Sequence, residues 1–197
     1  MTKQDELREV AEISTVGGEV CLDFTNTVSN RHSEAPREYL LSYEDLVQWA
    51  ERAGVVDASR ASRLRTEAAA HEERATEVLQ QALRLRAALY SIFASQIAGM
   101  TPPAAQMAFL NEMLASVLPR RQLVPGEENY SWRWRVRSDD LDFVLWPVIL
   151  SATELLTSGE LDRVHECEGD QCGWLFLDRS KNRSRRWCAM SDCGNVA

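Results

Sequence analysis

The 197-residue sequence lacks the features that mark several common classes of protein. It has no run of ~18 apolar residues, so we expect no membrane-spanning helix. Met1 leads into a charged segment without an apolar core, so we expect no secretory signal and a cytoplasmic protein. A glycine-rich phosphate loop, a His-Glu-x-x-His motif and a Gly-x-Ser-x-Gly motif are also absent. We therefore expect that the protein is not an enzyme.

Acidic side chains outnumber basic ones by 30 to 22, which makes the net charge −8. This balance argues against a protein coated in nucleic acid. The charge is uneven, because residues 1–162 hold sixteen basic and twenty-five acidic side chains, whereas residues 163–197 hold six and five. Within residues 179–186 there are five basic side chains and no acidic one. This short segment is therefore the candidate contact for an anionic partner.

Four of the five cysteines form two matched pairs near the C-terminus. Four residues separate Cys167 from Cys172 and Cys188 from Cys193, and fifteen residues lie between the pairs. Each pair can supply two thiolates from one tight turn, as a tetrahedral Zn²⁺ site requires. Two disulfides are the alternative, which the expected reducing compartment disfavours. The spacing predicts one structural zinc ion bound by all four cysteines, without His165 as a ligand.

Apolar residues recur at helical spacing through much of the chain before the cysteine pairs. The first of these segments has Ser42 as a predicted N-cap and Gly54 as its stop. Helices are predicted over residues 42–54, 57–98, 103–117 and 139–156, the second broken near residues 70–71 and the last kinked at Pro147.

Two segments of the same region are predicted to be strands. Residues 20–24 alternate apolar side chains, with Cys21 as a small buried hydrophobe. Residues 130–136 alternate more clearly and form a hairpin with residues 122–124. We expect the aromatic side of this hairpin to face a core, and its arginine side to face solvent or an anionic ligand. The first domain is therefore predicted to be α+β, mainly helical with a small antiparallel sheet.

Four polar side chains in these strands or in the turn after the first of them are candidate ligand contacts: Asp23, Asn26, Arg133 and Arg135. Asp23 lies in an apolar stretch, where it either bonds a buried turn or contacts a ligand, and buried polar groups usually serve the backbone. Arginines at a spacing of two residues are compatible with a phosphate or carboxylate.

The C-terminal segment is predicted to be a small fold organised by its metal. Strands near residues 163–166 and 174–177 and a helix starting near residue 189 would surround one zinc ion with a knuckle, a hairpin and a helix N-terminus. This arrangement is a treble clef. So few residues cannot bury enough apolar surface unaided, so metal binding and folding of this module should be one event.

The residues of this segment resemble the CGNR zinc-finger family. The resemblance rests on Cys172-Gly173-Trp174-Leu175-Phe176-Leu177-Asp178, Ser180-Lys181-Asn182, Ser184-Arg185-Arg186-Trp187-Cys188 and Cys193-Gly194-Asn195. In that family the finger follows a domain called ABATE, and Cys21-Leu22-Asp23-Phe24 with Asn26-Thr27 resembles its opening. The resemblance implies a transcription regulator with a ligand-sensing domain, residues 1–158, and a DNA-binding treble clef, residues 159–197.

One position departs from the family pattern. The fourth residue of the name motif is arginine in the family, whereas this sequence has Val196 followed by Ala197. Relatives typically continue into a longer basic helix, which would add positive charge near phosphates. We expect DNA binding to depend on the segment before the second cysteine pair, or to be partly lost.

DNA is the expected partner, with a small-molecule ligand and a protein partner as further possibilities. The predicted nucleic-acid contacts are Arg179, Lys181, Asn182, Arg183, Arg185 and Arg186. A competing interpretation gives the basic groups the task of offsetting the −2 charge of a Zn²⁺ ion with four thiolates. The alternative function is a protein-interaction module in which the zinc is purely structural. Catalytic zinc is disfavoured, because four thiolates leave no open coordination position.

Overall fold

The computed structural model describes residue 10 and residues 13–126, 128–191 and 193–196. Within these residues the helices are α1 (Val20–Thr25), α2 (Tyr43–Arg52), α3 (Ala58–Ala70), α4 (Glu72–Ile97), α5 (Ala104–Val117), α6 (Trp146–Thr157) and α7 (Cys193–Val196). Three antiparallel hairpins pair β1 (Val28–Ser29) with β2 (Arg37–Glu38), β3 (Arg121–Pro125) with β4 (Tyr130–Trp134), and β5 (Val164–Glu166) with β6 (Leu175–Leu177). The predicted α+β class is confirmed.

Local sequence signals set the ends of several helices. Ser42 and Asp45 form a reciprocal capping box at the start of α2. Gly54, with φ of 69°, follows the end of this helix. The predicted break near residues 70–71 is confirmed, because α3 ends at Ala70 and α4 begins at Glu72, with His71 between them.

The strand predicted for residues 20–24 is wrong, because this segment is the helix α1. Its side chains Cys21, Leu22, Phe24 and Thr25 are all buried, as α1 packs against α4, α6 and β6. Because a short segment that is enclosed on nearly every side has apolar residues at most positions, the spacing of those residues does not distinguish a strand from a helix. The buried position predicted for Cys21 is confirmed.

Pro147 does not kink a long helix. A 3₁₀ helix spans Leu141–Leu145, and α6 then begins at Trp146 with Pro147 in its first turn. Proline is accommodated there because the first N–H groups of a helix have no intrahelical acceptor.

The expectation that the aromatic side of the β3–β4 hairpin faces a core is only partly correct. Trp134 packs against Phe143 and Trp146, with ring centroids 6.3 and 5.6 Å away. Tyr130 and Trp132, further along the same face, are exposed. The hairpin is therefore anchored at its base, and its outer part extends beyond the core.

One hydrophobic core extends through both predicted domains. Leu175, Phe176 and Leu177 of β6 are buried in the same cluster as Leu22 and Phe24 of α1. The C-terminal segment is therefore packed against the first domain, with β6 in contact with α1. None of the helices in the described part of the chain has the length and apolar character needed to cross a bilayer.

Candidate metal centre

The sulfur atoms of Cys167, Cys172, Cys188 and Cys193 converge on one point, all within 4.8 Å of one another. The Sγ atom of Cys188 lies 3.8 Å from that of Cys172 and 3.7 Å from that of Cys193. A tetrahedral zinc ion with Zn–S bonds of about 2.3 Å requires sulfur–sulfur separations of roughly 3.8 Å. The residues fit one zinc ion, as the spacing predicted. His165 is not part of this cluster and instead lies 6.0 Å from the ring of Phe176.

The backbone around the sulfurs is arranged for thiolates. The N–H groups of Gly169 and Cys188 donate to the Sγ atom of Cys167 over 3.4 and 3.2 Å. Such donors offset the negative charge of a metal-bound sulfur. A hydrogen bond from the Cys188 thiol lowers the pKa of Cys172 to about 6. A bound zinc ion would hold all four residues as thiolates.

Gly169 leaves the space that the fourth ligand occupies. A Cβ atom added at this residue would lie 2.8 Å from both Cβ and Sγ of Cys193. We expect Gly169→Ala to displace Cys193 and to weaken zinc binding by at least tenfold, because one of four ligands loses its geometry. Competition with a chromophoric chelator would measure this affinity.

The matched control for this substitution is Gly159→Ala, since a Cβ atom there would meet nothing within 4 Å. We expect the control to bind zinc as the unmodified protein does. Equal zinc affinity for Gly169→Ala and Gly159→Ala would contradict the close contact with Cys193.

The finger is hydrogen-bonded to the first domain through its second strand. The side chain of Asn26, 0% exposed, donates to the carbonyl of Leu175 and accepts from the Leu175 N–H, over 2.8 and 2.9 Å. The indole N–H of Trp174 donates to the carbonyl of Val28 over 2.8 Å. The N–H of Leu177 donates to the carbonyl of Gly17 over 2.7 Å. Strand β6 is therefore attached to the first domain along its full length.

The first zinc-binding turn contacts the loop between β1 and β2. The N–H of Arg31 donates to the carbonyl of Cys172 over 3.2 Å, and that of His32 donates to Gln171 over 3.1 Å. His32 also pairs with Glu166, which accepts a hydrogen bond from Tyr90 over 3.2 Å. The carbonyl of a zinc ligand is thus bonded directly to the first domain.

Arg185 has a structural position. Its guanidinium donates to the carbonyls of Val16 (2.9 Å), Trp187 (3.0 Å) and Cys188, and lies 4.3 Å from the ring centre of Phe176. Three backbone acceptors thus engage the Nε and Nη2 groups of this side chain, which is only partly exposed. Among the six predicted nucleic-acid contacts, Arg185 is thus engaged with backbone carbonyls of the chain itself.

The other predicted contacts lie on an exposed loop. Asp178, fully buried, fixes the loop by accepting the N–H groups of Ser180 (2.7 Å) and Arg185 (3.0 Å). Lys181 and Asn182 are exposed at its tip. Three exposed arginines pair with carboxylates of the chain, Arg179 with Glu19, Arg183 with Asp162 and Arg186 with Glu168.

The predicted ligand contacts Asp23, Asn26 and Arg135 each bond to a different part of the chain. In the described part of the chain, no hydrogen bond joins Asp23 or Asn26 of the α1 region to Arg133 or Arg135 of the hairpin. Asp23 accepts the Gly17 N–H over 2.8 Å, which is the turn-bonding role favoured for it. Asn26 is engaged with the finger, Arg133 is exposed, and Arg135 is exposed and donates to the carbonyl of Pro119 over 3.2 Å.

Asp23 makes stability depend on pH. Burial raises the pKa of Asp23 from its ordinary 3.8 to about 6, so the folded state binds the proton more tightly than the unfolded state. The stabilisation is present below pH 3.8 and is lost as the pH rises through about 6. We expect Asp23→Asn, which keeps the acceptor for Gly17, to be about 1–2 kcal/mol more stable than the unmodified protein at pH 8.

Urea unfolding at several pH values would measure this effect, as the difference in free energy of unfolding between the two proteins. The difference should shrink as the pH falls from 7 to 4. A difference that is constant over this range would show that Asp23 ionises normally in the folded state.

An open groove of about 640 Å³ lies between α4 and α5. Its walls carry charged, polar and apolar side chains, including Glu77, Gln81, Arg84, Phe109, Glu112 and Met113. The guanidinium of Arg84 lies 4.5 Å from the ring centre of Phe109. None of the four predicted ligand contacts lines this groove. In the sequence these residues are recognisable only as parts of amphipathic helices. The groove itself was not predictable, because it depends on how α4 and α5 pack against each other.

The role of Asn26 in the zinc-finger contact was also missed. In the sequence, Asn26 is a carboxamide beside an apolar segment. This position indicates that the side chain is buried and needs a hydrogen-bond partner, but it does not identify that partner.

Comparison with known proteins identified two families. The ABATE family, described as "Putative stress-induced transcription regulator", matches residues 18–159. The family described as "CGNR zinc finger" matches residues 163–197, which include all four cysteines of the metal centre. A search of curated proteins found no match.

Proposed function

The chain belongs to the ABATE family and carries a CGNR zinc finger, and we propose from this that it is a transcription regulator that binds DNA through the finger. The observation that carries the proposal is the loop of residues 179–186. Zinc ligation at Cys188, the buried Asp178 and the bonded Arg185 hold this loop in one shape. A rigid, exposed, basic loop loses little conformational entropy when it binds phosphates.

The proposed contacts are Arg179, Lys181, Arg183 and Arg186 to phosphates, with Asn182 at a base edge or sugar. The carboxylates that pair with three of these arginines do not prevent this. Exposed ion pairs contribute only about 0–1 kcal/mol each, and the three arginine side chains are more than half exposed. Phosphate oxygens can therefore replace the carboxylates.

A salt titration tests the DNA contact. Fluorescence anisotropy with a labelled duplex of about 30 base pairs should give an affinity that falls steeply with salt, because each phosphate contact releases counterions. Each of Arg183→Ala and Arg186→Ala should reduce the slope of log K against log salt by about 0.9. The matched control is Arg74→Ala on α4, an arginine that is also exposed and paired with a carboxylate, through Glu77.

The proposal fails if the zinc-loaded protein shows no affinity for the duplex at low salt. It also fails if Arg74→Ala and the loop variants reduce binding equally, because the contact would then not be at the finger.

A protein-interaction module with a purely structural zinc is the second candidate. The observation that favours it is the pairing of Arg179, Arg183 and Arg186 with the chain's own carboxylates, which offsets three of the five positive charges of the loop. In that case the unmodified protein should bind a protein partner with little dependence on salt and should not shift DNA.

We also propose that the first domain senses a small molecule and that the groove between α4 and α5 is where it binds. Arg84 and Glu112 offer both signs of charge beside the apolar Phe109 and Met113. Ligands with a charged group and an apolar body suit this lining. Thermal-shift screening of such compounds should give hits that disappear in Arg84→Ala, and hits that persist in this variant would place the site elsewhere.

Two further parts of the proposal concern the chemistry and the compartment. Four thiolates would fill the coordination sphere of the zinc ion, so we propose a non-catalytic metal and no enzyme activity. We also propose that the protein is cytoplasmic, because its four clustered cysteines are free thiols and a reducing compartment maintains thiols in that state.

A further inference from the structure

The β3–β4 hairpin has an unpaired edge along β4. In the described part of the chain the sheet contains only these two strands. Tyr130 and Trp132 of β4 are 71% and 60% exposed. A two-stranded hairpin is marginally stable in water unless its apolar face is covered or a further strand is added. Here only the base is covered, through Trp134.

The hydrogen bonds of the hairpin show which backbone groups point outward. The Arg135 N–H donates to the Arg120 carbonyl, and the Gly126 N–H donates to the Asn129 carbonyl, each over 2.7 Å. In an antiparallel ladder hydrogen-bonded residue pairs alternate with non-bonded ones. With the observed register, Ser131 and Arg133 therefore bond toward β3. The N–H and carbonyl groups of the residues that alternate with them along β4, Tyr130, Trp132 and Trp134, point out of the β4 edge.

We propose that this edge pairs with the same edge of a second copy of the chain, antiparallel and with the two-fold axis at Trp132. Trp132 would then lie opposite Trp132 of the second copy, and Tyr130 opposite Trp134 of the second copy. All of these residues direct their backbone groups outward, so the pairing forms six backbone hydrogen bonds and a four-stranded sheet.

The side chains of β4 are self-complementary in this register. The aromatic residues of both copies form one continuous face, in which cross-strand aromatic pairs are favourable. Arg133 lies opposite Ser131 of the second copy, so no two like charges are directly opposed. An isologous contact requires this property, because the same surface must suit both copies.

The edge of β3 is less suited to the same contact. It ends at Pro125, which has no N–H to donate, and β3 contains no aromatic residue. We prefer a second copy to a nucleic acid as the partner because the aromatic face offers phosphates little positive charge. The cationic side chain of β3 and β4 on that face is Arg121, and its guanidinium is already stacked 4.7 Å from the ring centre of Trp132. Arg133 and Arg135 lie on the opposite face of the hairpin.

Sedimentation equilibrium of the zinc-loaded full chain tests the pairing. At about 100 μM the unmodified protein should sediment at twice the chain mass of 22.3 kDa. Trp132→Pro removes an outward N–H without breaking a bond to β3, and should raise the dimer Kd at least tenfold. The matched control is Leu123→Pro, because Leu123 is also exposed and its N–H points out of the β3 edge. This variant should dimerise as the unmodified protein does.

Disulfide trapping tests the register and does not depend on proline. Trp132→Cys should form an intermolecular disulfide under air, mapped by mass spectrometry. Directly opposed residues in a bonded pair have Cα atoms about 5.5 Å apart, within the range for a disulfide. Ser131→Cys should not crosslink to itself, because two copies of residue 131 are offset by two positions along the strands.

Several results would overturn the pairing. One is a mass of 22.3 kDa for the unmodified protein at about 100 μM. Another is dissociation by Leu123→Pro but not by Trp132→Pro. Crosslinking through residue 131 rather than 132 would refute the register. Loss of oligonucleotide or acidic-peptide binding in Trp132→Pro, with a monomeric unmodified protein, would assign the edge to that partner instead. The contact is separate from the finger, so loss of DNA binding by the loop variants should leave the dimer intact.

Discussion

Replacing Cys172 with serine is expected to destabilise the whole chain, not the finger alone. A structural zinc site contributes about 10–16 kcal/mol in isolated fingers, and loss of a ligand removes a large share of this. Cys172 lies three residues before β6, the strand that packs on α1. Without the metal, the buried Leu175 and Phe176 lose their support, and the apolar face of α1 is uncovered. We expect a loss of at least about 4 kcal/mol in the free energy of unfolding.

Urea unfolding followed by circular dichroism, with zinc content from elemental analysis, would measure this loss. We expect one cooperative transition at lower urea. The matched control is Cys21→Ala, which removes a buried thiol far from the metal and should retain one zinc ion at a cost of about 1–2 kcal/mol. Two separate transitions, with the helical part unfolding at the same urea concentration as in the unmodified protein, would show that the finger is an independent module.

Replacing Asn26 with leucine is expected to cost about 3–5 kcal/mol, although the two side chains have similar volumes. The carboxamide satisfies both the N–H and the carbonyl of Leu175 in a fully buried position. Leucine would leave both backbone groups unpaired, and each unsatisfied buried group costs about 1–3 kcal/mol. Because β6 follows Cys172 closely, zinc affinity should fall as well.

Chemical denaturation and chelator competition on the same variant would separate the two effects. Asn182→Ala is the matched control, because this asparagine is exposed on the finger loop. It should change the free energy of unfolding by less than about 0.5 kcal/mol. If Asn26→Leu also stays within that range, the bonds to Leu175 do not hold the finger to the first domain.

The zinc centre was predictable because its information is local. The spacing within each cysteine pair is sufficient for chelation by one turn, and the fifth cysteine, Cys21, is too far away in the sequence to compete for the set. The cap at Ser42 and the break at His71 were predictable for the same reason, since they depend on hydrogen bonds within three or four residues.

The errors arose where burial is decided by distant segments. Residues 20–24 show an apolar pattern because α4, α6 and β6 enclose them, and the same pattern suits a strand. The hairpin shows the opposite case. Its alternation correctly predicts a strand, but only the position of the neighbouring α6 determines that Trp134 is covered and Trp132 exposed.

The sequence by itself determined the metal ligands, the ends of several helices and the families to which the two segments belong. Only the tertiary structure decided that the finger and the first domain share one core, since Asn26 and Leu175 are 149 positions apart. It also decided that Arg185 binds backbone carbonyls while Lys181 remains exposed, although both lie in one basic run. Residue type sets what a side chain can bond, but the partner it bonds depends on which groups folding brings within reach.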